Sequence, residues 1–142
     1  MTVYVDDMRV PATANEVLGR WSWLYCDGCD DDELHAFAQR LGVPRSWFKE
    51  GGKVSSHYDV TDPLRDNAIQ LGAVQVGVFS TEAIVILADK LAARGEVLSP
   101  REAHRLGLCI DCKADRHSAG RTRCNACHTD YTNPPRPPAG RP

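Results

Sequence analysis

The residues best suited to chemistry in this chain are its six cysteines, which fall into three Cys-x-x-Cys pairs. Two pairs, Cys109/Cys112 and Cys124/Cys127, are separated by eleven residues, so two turns can present four thiolates to one tetrahedral ion. Paired disulfides are one competing interpretation, and covalent haem attachment at the motif that ends in His128 is another. The spacing favours one structural zinc site, because zinc supplies folding energy that so short a segment lacks.

The third pair, Cys26 and Cys29, has no fourth pair with which to complete a site. His35 or His57 would supply further ligands for a second zinc site if the fold brings them near. A redox-active dithiol and two inert, buried thiols are the alternatives. The sequence leaves these three interpretations open.

Carboxylates and imidazoles form another candidate site in the N-terminal two-thirds of the chain. Asp6 and Asp7 end a short apolar run, and His57 and Asp59 lie in a later run, with His35 between the two. Such side chains can hold Mg²⁺ or Mn²⁺ and hydrolyse a phosphodiester, which makes these five the candidate catalytic residues of a metal-dependent hydrolase or nuclease. The structural alternative is that they bind turn amides or form a buried polar network.

Charge is distributed unevenly along a chain whose formal net charge is −2. Residues 1–98 carry nine basic and fifteen acidic side chains, whereas residues 99–142 carry eight basic and four acidic ones. The basic residues near the cysteines favour sequence-nonspecific contact with nucleic acid, and a solvated surface or a protein-binding module is the alternative. The candidate contact residues are Arg105, Lys113, Arg116, Arg121 and Arg123.

Strand and helix patterns alternate along the first part of the chain, and residues 9–29 show no clear pattern. Strands are predicted at residues 2–5, 54–60 and 73–79. Helices are predicted to begin at Asp30, Asp62 and Ser80, and a linker helix to begin at Ser99.

This alternation predicts a small α/β domain of two or three layers at residues 1–96. A four-cysteine zinc knuckle or ribbon follows at residues 99–131, and residues 132–142 form a proline-rich, disordered tail. The sequence has no apolar run of the roughly 18 residues that cross a bilayer, and its first residues do not resemble a signal peptide. We therefore expect a cytoplasmic protein, and the reducing cytoplasm favours metal binding over disulfides.

Several segments resemble a small family of uncharacterised domains from bacteria and their phages. The resemblance covers residues 1–78 and rests on Tyr4-Val5-Asp6-Asp7-Met8-Arg9, Glu33-Leu34-His35-Ala36-Phe37-Ala38 and His57-Tyr58-Asp59-Val60-Thr61. The family has no known function, so the resemblance carries little chemistry over. It leads us to expect Ser-His-Leu where this chain has Ser22-Trp23-Leu24, and if that histidine is functional, this copy lacks the activity.

The C-terminal cysteines resemble the four-cysteine zinc modules appended to various phage proteins. The sequence therefore predicts a zinc-binding accessory or regulatory protein of a phage or bacterium, whose zinc module contacts nucleic acid or a partner protein. The alternative is the metal-dependent hydrolase or nuclease described above.

Overall fold

The computed structural model describes residues 2–134 of the chain. The chain divides into two compact units, residues 1–96 and 97–142. Most of the tail predicted at residues 132–142 lies outside the described residues. None of the described helices is long and apolar enough to pass through a lipid bilayer.

A mixed six-stranded sheet forms the first unit and confirms the predicted α/β class. Its strands are β1 (Val3–Asp6), β2 (Val10–Ala14), β3 (Val17–Cys26), β4 (Phe48–Lys49), β5 (His57–Thr61) and β6 (Val74–Val76). The main path through the sheet is β4-β5-β3-β1-β6, and β2 pairs with the first half of β3. Only the β1–β6 pair is parallel among these strands.

The β2–β3 hairpin occupies the segment that showed no pattern in the sequence, so the expectation of irregular structure there is wrong. Ala14 pairs with Val17, and the two connecting residues, Asn15 and Glu16, have φ values of 48° and 64°. Two consecutive left-handed residues are the mark of a type I′ turn, whose twist suits a hairpin. The usual Asn-Gly signature is replaced here by Asn-Glu, which hides the turn from sequence reasoning.

Five helices lie in the described residues, and serine caps begin two of them. They are α1 (Asp32–Leu41), α2 (Asp62–Gln70), α3 (Thr81–Arg94), α4 (Pro100–Arg105) and α5 (Asn125–Thr132). The Ser80 Oγ accepts a hydrogen bond from the Ala83 N–H at the start of α3. Ser99 and Glu102 form the predicted capping box at the start of α4.

Helix α1 begins one residue later than the sequence predicts. Asp31, rather than Asp30, occupies the cap position, and its side chain makes no cap hydrogen bond. The Asp31 carboxylate instead accepts hydrogen bonds from Arg94 and Ser56. The residue at the cap position thus belongs to a tertiary network, while the predicted cap residue, Asp30, accepts a hydrogen bond from the Asp32 N–H.

Side-chain alternation gives the sheet an apolar face and a polar, aromatic face. On the apolar face, Val5, Leu24 and Val60 are fully buried with Leu34 of α1 and Ala68 of α2. The opposite face carries the residues next to these along each strand. Asp6 and Tyr4 from β1, Trp23 and Tyr25 from β3, and His57 and Asp59 from β5 therefore share that face.

The second unit has little regular structure between residues 97 and 134. It contains α4, α5 and a single antiparallel bridge between Leu108 and Arg116. Backbone hydrogen bonds in turns, such as those from Cys109 to Asp115 and from Ile110 to Thr122, connect the intervening loop. This loop holds the first cysteine pair, and α5 holds the second.

Candidate metal centre

The four cysteines of the second unit converge on one point. Each offers a sulfur atom, and these atoms all lie within 4.8 Å of one another. The Sγ atoms of Cys112 and Cys124 are 3.9 Å apart. Tetrahedral zinc with bonds of ~2.3 Å places its sulfur ligands about 3.8 Å apart, so the residues fit such an ion.

The first pair lies in a tight turn that begins at the Leu108–Arg116 bridge. The Lys113 N–H donates to the Cys109 carbonyl oxygen across this turn, and Lys113 itself is left-handed with a φ of 55°. Cys109 is fully buried, whereas Cys112 is exposed. The turn therefore holds one sulfur inside the unit and one at its surface.

The second pair is held by the beginning of α5. Cys124 is the N-cap residue, and Cys127 lies in the first turn of the helix. The partial positive charge at a helix N-terminus stabilises thiolates, so this position favours metal ligands. A turn followed by a helix N-terminus is consistent with a zinc knuckle.

The four thiols affect one another's ionisation. Burial acts to raise the pKa of Cys109, but backbone N–H groups of Cys124, Cys112 and Asp111 outweigh it and lower that pKa to about 6. The hydrogen bond between Cys127 and Cys124 raises the pKa of Cys127 to about 12. One negative charge therefore forms readily in this cluster, and a bound cation would remove the obstacle to the others.

Cys26 and Cys29 lie in the first unit, at the end of β3. Cys26 is fully buried and its Sγ lies 3.4 Å from the Asp30 carbonyl oxygen, while Cys29 is exposed. Burial raises the pKa of Cys26 to about 11, which favours the neutral, unreactive thiol. Among residues 2–134, only the four C-terminal cysteines form a group of three or more cysteine, histidine or acidic residues that could hold a metal. The second zinc site therefore gains no support within that range.

Three of the five candidate catalytic residues share the polar, aromatic face of the sheet. Trp23 of β3 pairs directly with Asp59 of β5, and Asp6 of β1 lies on the other side of Trp23. The Asp6 Oδ1 accepts hydrogen bonds from the backbone N–H groups of Trp23 and Met8. Burial nevertheless raises the pKa of the Asp6 carboxyl above its ordinary value.

His57 is held on several sides beside these carboxylates. Its ring stacks on Trp23, with ring centres 3.7 Å apart and planes 9° apart. Its Nδ1–H donates to the Ser55 carbonyl oxygen at 2.7 Å, and its Nε2 lies 3.3 Å from an Asp59 oxygen. With one hydrogen on Nδ1, an ion pair with Asp59 would require a second proton on Nε2. The contacts of His57 are therefore described as a buried polar network.

The other two candidates, Asp7 and His35, lie apart from this network. Asp7 is exposed, and its Oδ1 accepts a hydrogen bond from the Val78 N–H. His35 belongs to α1 and contacts Tyr58, whose side chain lies on the apolar face of the sheet. The five residues do not converge as one site, and the Mg²⁺- or Mn²⁺-dependent activity assigned to them stays a prediction.

Comparison with known protein families matches residues 3–90 to a family described as a protein of unknown function, DUF4031. This match covers more than half of the chain. The chain belongs to the DUF4031 family. No curated protein and no solved structure shows a significant match to it.

The DUF4031 match confirms the resemblance of the N-terminal part to a domain of unknown function. It extends beyond the predicted limit of residue 78 and takes in most of α3, but it does not reach the cysteine cluster. The DUF4031 match therefore covers most of the first unit of the protein and none of the second. Only the geometry of its four cysteines supports the C-terminal zinc module.

A buried network near the end of the DUF4031 match escaped sequence reasoning. Lys90 is 1% exposed, and its Nζ donates to the backbone and side-chain oxygens of Ser56 at 3.2 and 3.1 Å. The Ser56 hydroxyl donates to Asp31, which also accepts two hydrogen bonds from the Arg94 guanidinium. A lysine in an amphipathic helix usually faces water, so the residue type argues against burial. Only the position of Lys90 on the apolar side of α3 indicates that it is buried.

The candidate nucleic-acid contacts of the second unit include one aromatic stack. Arg123 donates to Asp111 at 2.6 Å, and its guanidinium carbon lies 4.1 Å from the centre of the Tyr131 ring. The tyrosine is 65% exposed. Sequence reasoning missed this pair, because Tyr131 follows the last cysteine by four residues and only helix α5 brings it back beside Arg123.

Proposed function

We propose that the protein is a zinc-binding accessory or regulatory protein, whose C-terminal unit contacts nucleic acid without sequence specificity. The observation that carries the proposal is the convergence of four sulfur atoms within 4.8 Å of one another. Thiolates in this number and arrangement select zinc among the common biological cations. Zinc in such a closed site stabilises a fold rather than performing a reaction.

The basic residues around this site supply the charge for a contact with phosphates. Arg101, Arg105 and Arg121 are exposed, and Lys113 and Arg116 are half-buried. A zinc ion with four thiolates carries a formal charge of −2, which offsets part of the excess of four positive charges on residues 99–142. The remaining excess is modest, so the contact should be weak and strongly salt-dependent.

The Arg123–Tyr131 stack points to single-stranded rather than double-stranded nucleic acid. An exposed aromatic ring beside basic side chains is the usual platform for an unpaired base, and stacking tolerates any base. A duplex keeps its bases inside and would use only the phosphate contacts. The preference for single strands follows from the 65% exposure of Tyr131 and its position against Arg123.

Fluorescence anisotropy with a labelled single strand of mixed sequence tests this function. The zinc-loaded full chain should bind at low salt, and affinity should fall as sodium chloride rises from about 20 to 200 mM. The double variant Lys113→Ala, Arg121→Ala should reduce the slope of log K against log salt by about 1.4, because each lost contact removes about 0.7. Tyr131→Leu should weaken the single-strand complex tenfold or more and affect a duplex less.

The matched control is the double variant Arg40→Ala, Lys53→Ala, which removes two exposed basic residues from the first unit. It should leave both affinity and salt dependence unchanged. Absence of binding at low salt by the zinc-loaded chain would remove the nucleic-acid part of the proposal. The exposed surface around the cysteines would then be assigned to a protein partner.

A further inference from the structure

A cleft of about 580 Å³ lies beside α1 in the first unit, apart from the cysteine cluster. Its polar lining residues are Asp32, His35, Gln39, Arg45 and Tyr58. The volume lies within the range of about 300 to 1,000 Å³ that small-molecule sites occupy. Nothing in the zinc module or its nucleic-acid contact uses this cleft.

His35 is fixed in the cleft by contacts on two sides. Its Nδ1 lies 2.8 Å from the hydroxyl of Tyr58, which is 1% exposed. Its ring packs edge-on against Phe48, with ring centres 4.5 Å apart and planes at 80°. These contacts set the orientation of the imidazole before any ligand arrives, which lowers the entropy cost of binding.

The protonation states of this pair follow from its surroundings. Burial, followed by the charge of Arg45, lowers the pKa of His35, and burial raises the pKa of Tyr58. The imidazole and the phenol are therefore both neutral at neutral pH. In the tautomer with the ring hydrogen on Nε2, the phenol donates to Nδ1, and Nε2–H is the hydrogen-bond donor left for a ligand.

Opposite charges belong to opposite ends of α1. Asp32 is in the first turn of the helix, Gln39 is two turns further on, and Arg45 follows the helix C-terminus. Seven residues of helix span about 10 Å. Both charges act on the imidazole, because the Arg45 guanidinium lowers the pKa of His35 and the Asp32 carboxylate raises it.

We propose that this cleft binds a small zwitterionic molecule, whose acid group pairs with Arg45, whose amine pairs with Asp32, and whose middle contacts His35. A guanidinium recognises a carboxylate or a phosphate through paired hydrogen bonds. The single carboxylate at the other end disfavours a ligand that carries negative charge at both ends. The site therefore selects molecules of the amino-acid type over simple anions and simple amines.

A matched set of probes tests the site. 6-Aminohexanoate carries both groups, hexanoate lacks the amine, and hexylamine lacks the acid. Titration of the zinc-loaded full chain with 6-aminohexanoate should shift the NMR signals of the His35 ring with saturation in the millimolar range or below. Hexanoate and hexylamine should each bind at least tenfold more weakly.

Exposed lining residues provide variants that leave the core intact. Arg45→Ala should weaken 6-aminohexanoate at least tenfold, and Asp32→Asn should reduce its affinity to that of hexanoate. Arg40→Ala, which removes a guanidinium that lies over Phe37 on the same helix, should leave the affinity unchanged. Shifts that never saturate, or equal affinity in Arg45→Ala and the parent chain, would overturn the proposal.

Discussion

The two units of this protein are stabilised by different means. The first buries apolar side chains from a sheet and two helices, with Val5, Leu24, Leu34 and Val60 at zero exposure. The second has few buried apolar side chains among its described residues, and two of its cysteines, Cys109 and Cys124, are buried with them. A segment of this size buries too little apolar surface to fold by itself, and a metal ion held by the four cysteines would supply what is missing.

The units also differ in the charged groups that they bury. The first encloses Lys90, Asp31 and Arg94 in one hydrogen-bonded network, in which opposite charges compensate each other. The second gathers four thiols, which would need an external cation in order to be negatively charged together. The comparison shows that a cluster of buried charged groups needs no external ion only when the chain itself provides both positive and negative groups.

Metal removal should produce the largest difference in stability between the two units. A chelator should unfold the unit that holds the four cysteines and leave the amide signals of the sheet unit unchanged, because metal binding in such modules is worth about 10–16 kcal/mol. Elemental analysis should give one zinc per chain, and Cys124→Ser should abolish it.

The control is Cys29→Ser, which removes an exposed cysteine of the first unit. This variant should keep its zinc. Zinc that persists in Cys124→Ser but disappears in Cys29→Ser would reverse the assignment of metal to the second unit.

The buried lysine should give the sheet unit a distinctive response to alkaline pH. Burial lowers the pKa of Lys90 to about 8, whereas an unfolded lysine titrates near 10.4. Between these values the unfolded chain binds more protons, so the contribution of Lys90 to the free energy of unfolding rises with pH. Relative to Lys90→Met, the parent chain should gain roughly 2.5 kcal/mol from pH 8 to 10.4.

Cys26 titrates in the opposite sense, because burial raises its pKa to about 11 and its stabilisation is lost as pH rises. The comparison is therefore made in a Cys26→Ala background, by urea denaturation at a series of pH values. A difference between the two chains that is flat across this window would show that the fold does not lower the pKa of Lys90.

The smallest expected effect comes from replacing a serine helix cap with alanine in each unit. Ser80→Ala removes the cap of α3, and Ser99→Ala removes the capping box of α4. Each should cost about 1 kcal/mol, but Ser99→Ala should destabilise only the metal-dependent unit and ease the release of zinc to a chelator. Ser46→Ala, at an exposed position without a cap role, should change neither unit. Equal effects of both caps on zinc release would show that the units are not independent.

Sequence reasoning succeeded where chemistry is local. The two Cys-x-x-Cys pairs predicted a four-cysteine cluster, because the spacing restricts where the sulfurs can go. The capping box at Ser99 was predicted for the same reason, since four consecutive residues contain the whole interaction.

It failed where a residue acts through distant partners. Asp31 was passed over as a cap in favour of Asp30, because its partners Ser56 and Arg94 are 25 and 63 residues away. The sharing of one sheet face by Asp6, Trp23 and Asp59 depends on the registers of β1 against β3 and of β3 against β5, which join residues far apart in the sequence.

Trp23 and its stacked partner have an optical consequence. The chain has three tryptophans, Trp21, Trp23 and Trp47, and all belong to the sheet unit. Intrinsic indole emission therefore comes from the sheet unit alone. Within it, an imidazole 3.7 Å from an excited indole is a quencher, most of all when protonated. The brightness of this protein thus reads out whether His57 still lies against Trp23.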